Sequence, residues 1–363
     1  MSSSAAAELP ESFNLFDFVV KQGNGVKGLS DMGIESVPSQ YIQPPEERFD
    51  SAKIVPQSSI PIIDFSKWDS PEVADAIFEA STKWGFFQIV NHGVPTGILD
   101  DLKAAVHRFF ESPTEEKRKY LKESPAAAES VRLSTSFSPR AEQVLEWKDY
   151  LTMLYVSEDQ ALASWPPQCR DEAIEYMKRA EILIKRLLQV LMKRLNVEDI
   201  DKMMEHLLMG ATTLNFNYYP NCPNPELTAG VGRHSDISTI TILFQDDSGG
   251  LYVRREGSEA DSWIHVPPVT DALVINVGDV LQIMSNGLYK SVEHRALPNK
   301  NRSRISIPIF VSPGQDALIG PLPQVLETGE KPRYKQVLYS DYFKHFFSKP
   351  HDGKKVIEFA KIL

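Results

Sequence analysis

Beyond Gly210 the chain changes character, and that change narrows the available folds more than any other feature. Short runs of alternating or β-branched residues at 212–219, 237–244, 250–253, 272–276, 280–284 and 304–310 are separated by turn residues. Strands this short and closely spaced cannot bury an apolar face singly, so they imply a sandwich or a sheet closed on itself. Upstream the pattern is mixed. A strand-like stretch at 60–65 precedes a helical pattern at 73–84, a strand at 86–90 and a second helix at 98–110. The clearest helix spans 172–195, where Met177, Ala180, Ile184, Leu188, Leu191 and Leu195 recur three and four apart and make one apolar face. The first sixty residues carry an amphipathic stretch (Phe13, Leu15, Phe16, Val19, Val20) and a Pro-, Gly- and Ser-rich run at 24–59, which reads as an arm. A helix at 340–347 follows a polar, Pro-rich loop. The expected organisation is an arm at 1–59, a mixed, largely helical region at 60–207, a β core at 208–315, and a loop with helices at 316–363.

The β region contains a metal-ligand pattern. Of the eight histidines, only His234 stands in an H-x-D or H-x-E arrangement, with Asp236. Residues i and i+2 of a strand share a face, so imidazole and carboxylate can converge on one ion. Gly232, just before them, leaves room. His294 lies 294 − 236 = 58 residues further on, where a closed sheet can return it to the same mouth. Two histidines and one carboxylate on one face of an octahedron leave three positions open, the arrangement of non-haem Fe(II) oxygenases. Zinc sites are more often closed by four ligands or built on an H-E-x-x-H helix, which is absent. H-x-D alone is a weak sign and also arises by chance or around a capping aspartate. Arg304-Ile305-Ser306 strengthens it, because a guanidinium and a hydroxyl on one strand face can clamp a carboxylate. R-x-S also occurs at Arg132 and Arg233, but only the copy after His294 follows the distal ligand into a strand.

Composition removes other classes. A formal charge of −10 gives no chain-wide attraction to nucleic acid or an anionic membrane. The only cysteines, Cys169 and Cys222, lack CxxC spacing, which argues against a disulfide framework or thiolate zinc site and fits a reducing compartment. No apolar run is long enough for a membrane span, and the first residues lack a signal-like apolar core. A cytoplasmic protein is expected, with no nucleic acid, membrane or obligate protein partner evident.

The motifs Asn217-x-Tyr219-Pro220, His234-Ser235-Asp236, Gly249-Gly250-Leu251, Gly278-Asp279, Ser285-Asn286-Gly287, His294-Arg295 and Arg304-Ile305-Ser306 resemble, in order, the plant 2-oxoglutarate-dependent dioxygenases. The segments Ile60-Pro61-Ile62-Ile63-Asp64 and 84–93 (WGFFQIVNHG) are similar to that family's first half. The resemblance implies mixed α and β structure, with a double-stranded β-helix (jelly-roll) core flanked by helices. It implies Fe(II) on His234, Asp236 and His294, and 2-oxoglutarate held by Arg304, Ser306 and Tyr219, with Asn217 beside them. O2 is the co-substrate, ascorbate the reductant in assays, and succinate and CO2 the co-products. His92, although in a family motif, is read as structural.

Flanking stretches are similar to the branch that ortho-hydroxylates feruloyl-CoA and p-coumaroyl-CoA. They are residues 23–29, Thr135-Ser136-Phe137-Ser138-Pro139, Glu146-Trp147-Lys148-Asp149-Tyr150, 231–234, 289–295 and 351–355. That resemblance implies an aromatic acyl-CoA substrate whose new hydroxyl can close onto the thioester carbonyl, expelling CoA and leading to scopoletin or umbelliferone. A coumarin (scopoletin) 8-hydroxylase shares most of these stretches and is the alternative. A metal-dependent binding module would not need the Arg304–Ser306 clamp, and a metal-assisted hydrolase would need an acid or base beside the metal. Strand parity adds pocket candidates: Pro308 and Phe310 should share a face with Arg304, and Asn215 with Tyr219. Phe310 could equally be core. Leu133 and Phe137 are candidates by resemblance alone. For the CoA phosphates the sequence offers two basic runs, Lys117, Arg118, Lys119 and Lys122, and Lys300 with Arg302, but charge runs are usually solvated faces and both are left out of the site.

Overall fold

The computed structural model describes residues 10, 12–55, 59–121, 124, 128–137, 139, 143–254, 262–327, 329–351 and 353–362. Lys122 and Ser138, named above, and Asp352 of the stretch 351–355 lie outside them.

Two sheets carry the fold. The larger uses β1 (Ile62–Asp64), β2 (Phe86–Val90), β3 (Val131–Thr135), β4 (Asp149–Tyr155), β5 (Ala211–Tyr219), β7 (Ile240–Gln245), β10 (Leu273–Val277) and β12 (Arg304–Ser312), in the order β1-β2-β10-β7-β12-β5-β4-β3. The smaller is β6-β11-β8-β9, from Val231–His234, His294–Ala296, Leu251–Arg254 and Trp263–Val266. All pairings are antiparallel except β1 with β2. This is the jelly-roll core that the family resemblance implies.

Side-chain alternation separates core from site. On β12, Ile305, Ile307, Ile309 and Val311 join Leu214 and Phe216 of β5 in the main hydrophobic core, together with the helices Pro71–Lys83, Thr96–Glu111 and Arg170–Lys193. The alternate residues, Arg304, Ser306, Pro308 and Phe310 with Asn215, Asn217 and Tyr219, line a cavity on the opposite face. The β5–β12 ladder pairs Ser306 with Asn217 and resumes at Ile309 with Leu214, skipping Ile307 and Pro308. Proline has no N–H for the ladder, so the gap falls where Pro308 faces the cavity.

One expected strand is a helix. Residues 280–284 belong to the helix Asp279–Met284, in which every residue is buried. An apolar run buried on all sides has no polar face to reveal its period, so strand and helix read alike. Conversely, β3, β4, β6, β9 and β11 are absent from the sequence reading. They are short or carry polar residues on the face that meets the cavity.

The N-terminal residues pack on the barrel. Leu15, Val19, Val26, Leu29 and Tyr41 bury themselves against Leu145, Trp147 and Cys222. The helix Gly25–Asp31 is seated by the Asp149 carboxylate, which accepts from the N–H groups of Val26 and Lys27, both at 2.8 Å. Both cysteines are free and buried, and burial pushes the Cys222 thiol up to about 11. No helix among the described residues is long and apolar enough to cross a membrane.

Candidate active site

His234 ends β6 and His294 begins β11, and the two are direct partners in the antiparallel ladder. That register brings their rings to 4.2 Å between centroids. Asp236 lies beyond the end of β6, so strand parity alone does not aim it. Its Oδ2 accepts from the Thr241 hydroxyl at 2.6 Å and the Asn276 amide at 2.8 Å. Its Oδ1 is left 3.5 Å from Nε2 of His234 and 3.8 Å from Nε2 of His294. One ligand atom from each of the three residues lies within 4.8 Å of the others.

Backbone carbonyls settle the imidazole tautomers. Nδ1 of His234 is 2.9 Å from the Gly232 carbonyl and Nδ1 of His294 is 3.2 Å from that of Val292. A carbonyl only accepts, so each Nδ1 carries the proton and each Nε2 keeps its lone pair towards Asp236. Burial and the neighbouring His234 push His294 down to about 4. Burial would raise the Asp236 carboxyl, but His294, His234 and Thr241 together hold it well below the usual carboxylate range. Neutral imidazoles and an ionised carboxylate are the forms a divalent metal requires.

Arg304 is 1 % exposed. Its Nε donates to the Gly249 carbonyl, its Nη2 to Gln245 at 3.1 Å, and its plane lies over the Tyr219 ring. Nη1 is buried without a hydrogen-bond partner. Leaving such a donor unmade costs about 1–3 kcal/mol or more for a charged group, so a fold that retains it fits an anionic ligand there. Ser306 stands beside it, 3.4 Å from the Tyr219 hydroxyl and 3.3 Å from the Asn217 amide. The residues therefore fit both a divalent iron and a dicarboxylate.

The triad and Arg304 open into one cavity of about 960 Å³. Phe310 lines it, is only partly buried and joins none of the hydrophobic core clusters. Asn215 and Phe137 line it too. Leu133 is also among the lining residues. It pairs with Leu151 and packs in the helix-side core, whereas Arg132 and Ser134 take the face shared with Asn215 and Asn217.

Sequence reasoning missed three features. Asn276 and Thr241 orient Asp236; inward parity on β7 and β10 could have found them. The His351 ring lies tilted against those of His234 and Phe137, with centroids 4.7 and 3.9 Å away, closing one wall with Phe346 and Phe347. Glu146 accepts from the Gly232 N–H at 2.7 Å and pairs with the buried Lys148 at 3.1 Å, so the Glu-Trp-Lys motif braces the strand that carries His234. Burial alone would lower the Lys148 ammonium, but Glu146 raises it above the ordinary lysine range.

Residues 211–313 match the model of the 2OG-Fe(II) oxygenase superfamily, and residues 60–171 match that described as non-haem dioxygenase in morphine synthesis N-terminal. The chain belongs to the 2OG-Fe(II) oxygenase superfamily. This oxygenase is 59% identical over 350 residues to a feruloyl CoA ortho-hydroxylase, F6H1-2, of Ipomoea batatas, covering 96% of this chain and 97% of that one. It is 58% identical over 346 residues to a bi-functional coumaroyl CoA and feruloyl CoA ortho-hydroxylase, F6H2-2-1, of the same plant, covering 95% and 96%. The crystal structure of JOX2 in complex with 2OG, Fe and JA superposes with a TM-score of 0.80 at 32% identity, covering 93% of this chain and 97% of that one. The oxygenase is an Fe(II)- and 2-oxoglutarate-dependent dioxygenase with O2 as co-substrate.

Proposed function

We propose that this oxygenase hydroxylates the ring of a hydroxycinnamoyl-CoA thioester ortho to its propenoyl chain, acting on feruloyl-CoA and p-coumaroyl-CoA. The observation that carries this reading is the shared cavity. The triad and Arg304, whose Nη1 has no hydrogen-bond partner, face one space whose walls include Phe137, Phe310, Phe343, Phe346 and Phe347, suited to a flat ring. The names and identities of the ortho-hydroxylases above support the thioester.

In this reading His234, Asp236 and His294 hold Fe(II), and Arg304 pairs with the far carboxylate of 2-oxoglutarate beside Ser306, Tyr219 and Asn217. When bound, the iron supplies oxygen activation coupled to decarboxylation of 2-oxoglutarate. Thr241 and Asn276 keep Asp236 Oδ2 occupied so that Oδ1 stays directed at the metal. Phe137 and Phe310 hold the ring flat, and the aromatic wall with His351 keeps water from the reacting carbon. The balance is thioester, 2-oxoglutarate and O2 giving ortho-hydroxylated thioester, succinate and CO2. The new hydroxyl can then close on the thioester carbonyl and release CoA. Buried free thiols support the cytoplasm as the place of action.

The test is a substrate panel of feruloyl-CoA, p-coumaroyl-CoA, free ferulate and scopoletin, with succinate quantified and products identified by mass spectrometry and NMR. Succinate matched by ortho-hydroxylated thioester, and little turnover of free ferulate, is the expected result. Efficient hydroxylation of scopoletin with both thioesters ignored would overturn the reading in favour of a coumarin hydroxylase.

A further inference from the structure

The cavity does not stop at the triad. It runs along the inner face of the large sheet to the edge strand β3, and there its lining turns from aromatic to basic. Lys21 from the N-terminal arm, Lys117 and Arg118 from the turn before residue 121, and Arg132 from β3 all line it. With Lys148 and Arg304 deeper inside, six cations face the cavity against two carboxylates, Asp149 and Asp236. This occurs in a chain whose formal charge is −10. Lys148 is already paired with Glu146, and the remaining lining residues still carry a local sign opposite to the global one.

Both carboxylates are committed, Asp149 to the backbone of Val26 and Lys27 and Asp236 to the triad. The four outer cations differ in how far they are engaged. The Lys117 ammonium donates to the Phe110 carbonyl, and Arg118 donates through Nε to that of Gln22 while its Nη1 lies 3.7 Å from the Glu115 carboxylate. Lys21 is 3.5 Å from Asp17 on the exposed side of its turn. Arg132 has no side-chain hydrogen bond or ion pair among the described residues.

Register fixes the distance between the two ends. Arg132 pairs with Thr152, which pairs with Asn215, on the face that also presents Pro308 of β12 and Leu243 of β7. From β7, whose Thr241 holds Asp236, to β3 is four strand spacings, about 19 Å. A thioester whose ring lies at the triad can run its extended pantetheine arm outward along this row. On the way it passes Asn215, whose Oδ1 is buried without a partner and can accept from a pantetheine amide.

We propose that Lys21, Arg118 and Arg132 form the binding site for the phosphates of the CoA portion. Resting on the acyl-CoA reading above, the assignment adds the residues that select a thioester of CoA over one of a short thiol. Arg and Lys at a cavity rim match phosphate, and a neutral phenylpropanoid has no use for them.

Arg132→Ala and Lys21→Ala test it, since both side chains are near the surface and outside the core. Each full-length variant, loaded with Fe(II), is assayed with feruloyl-CoA and with the feruloyl thioester of N-acetylcysteamine, which lacks phosphates. The expected result is a rise of about tenfold in KM for feruloyl-CoA, as for loss of one charge-assisted contact, with turnover of the short thioester unchanged. Adenosine 3′,5′-bisphosphate should inhibit the wild-type protein with feruloyl-CoA and inhibit Arg132→Ala more weakly. Equal losses on both thioesters, or no loss on either, would overturn the phosphate site while leaving the acyl-thioester reading intact. A wild-type protein that turns over neither thioester removes that reading and the phosphate site with it.

Discussion

Asp236 divides its oxygens between two tasks: Oδ2 is held by Thr241 and Asn276, and Oδ1 faces the two imidazoles. Because the supporting bonds fix the carboxylate before metal arrives, Asn276→Ala should weaken Fe(II) binding about 10–100-fold, as loss of an outer partner of a metal ligand generally does. Competition against a calibrated chelator measures this directly, and unchanged affinity would remove Asn276 from that role. The metal-free protein also has a pH signature. His294 lies at about 4 in the folded state, against about 6.5 in an unfolded chain, because burial and His234 disfavour its charged form. The unfolded state therefore takes up this proton first on acidification. Stability should fall as pH drops from about 6.5 to about 4, with no further contribution from His294 below that. Thermal unfolding of metal-free protein across the window tests the sign, and His294→Gln should flatten the slope. At this scale the ligands could be found in the sequence because their spacing is chemical. Asn276 and Thr241 could be placed on the inner face by strand parity, but that they both reach Asp236, and that His351 closes a wall, depends on which segments become neighbours.

Among the elements, the docked N-terminal arm depends on Gly25. Its φ is +69°, and a Cβ there would stand 2.5–2.7 Å from the Asp149 carboxylate. Gly25→Ala should therefore cost roughly 1–3 kcal/mol through strain and lost seating of the Gly25–Asp31 helix. Denaturant melts give the magnitude, and faster proteolysis within residues 12–31 locates it. Unaltered stability and protection would show that the helix tolerates the side chain. The Gly-Asn-Gly motif was visible as a motif, but its partner, Asp149, lies 149 − 25 = 124 residues away. The alternating strands β5 and β12 were legible because one face is aliphatic and the other polar. The helix Asp279–Met284 was not, since burial on all sides erased its period. β6 and β11 escaped notice for another reason: at four and three residues they are too short to show alternation, yet their single ladder aligns both histidines.

Across the whole molecule, charge and chain order work on different lengths. The formal charge is −10, whereas the cations proposed to hold the CoA phosphates line one cavity, so a polyanionic substrate bound there would meet attraction only at close range. Chain order shapes the barrel just as strongly. β10 lies between β2 and β7, and its partner Gln88 is separated from Val274 by 274 − 88 = 186 residues. Pairings of that separation carry a large loop-closure cost before any contact is gained, which makes for slow folding. The triad needs β6 and β11 already in register, so iron has nothing to grip in the early chain. Refolding monitored by tryptophan fluorescence should proceed at the same rate with or without Fe(II) under anaerobic conditions, while unfolding should slow when iron is bound. Iron that accelerated refolding would mean the two histidines meet early. Otherwise the long closure between β2 and β10 makes the metal a lock on a finished barrel, and its persistence in the cell becomes a matter of how slowly that lock opens.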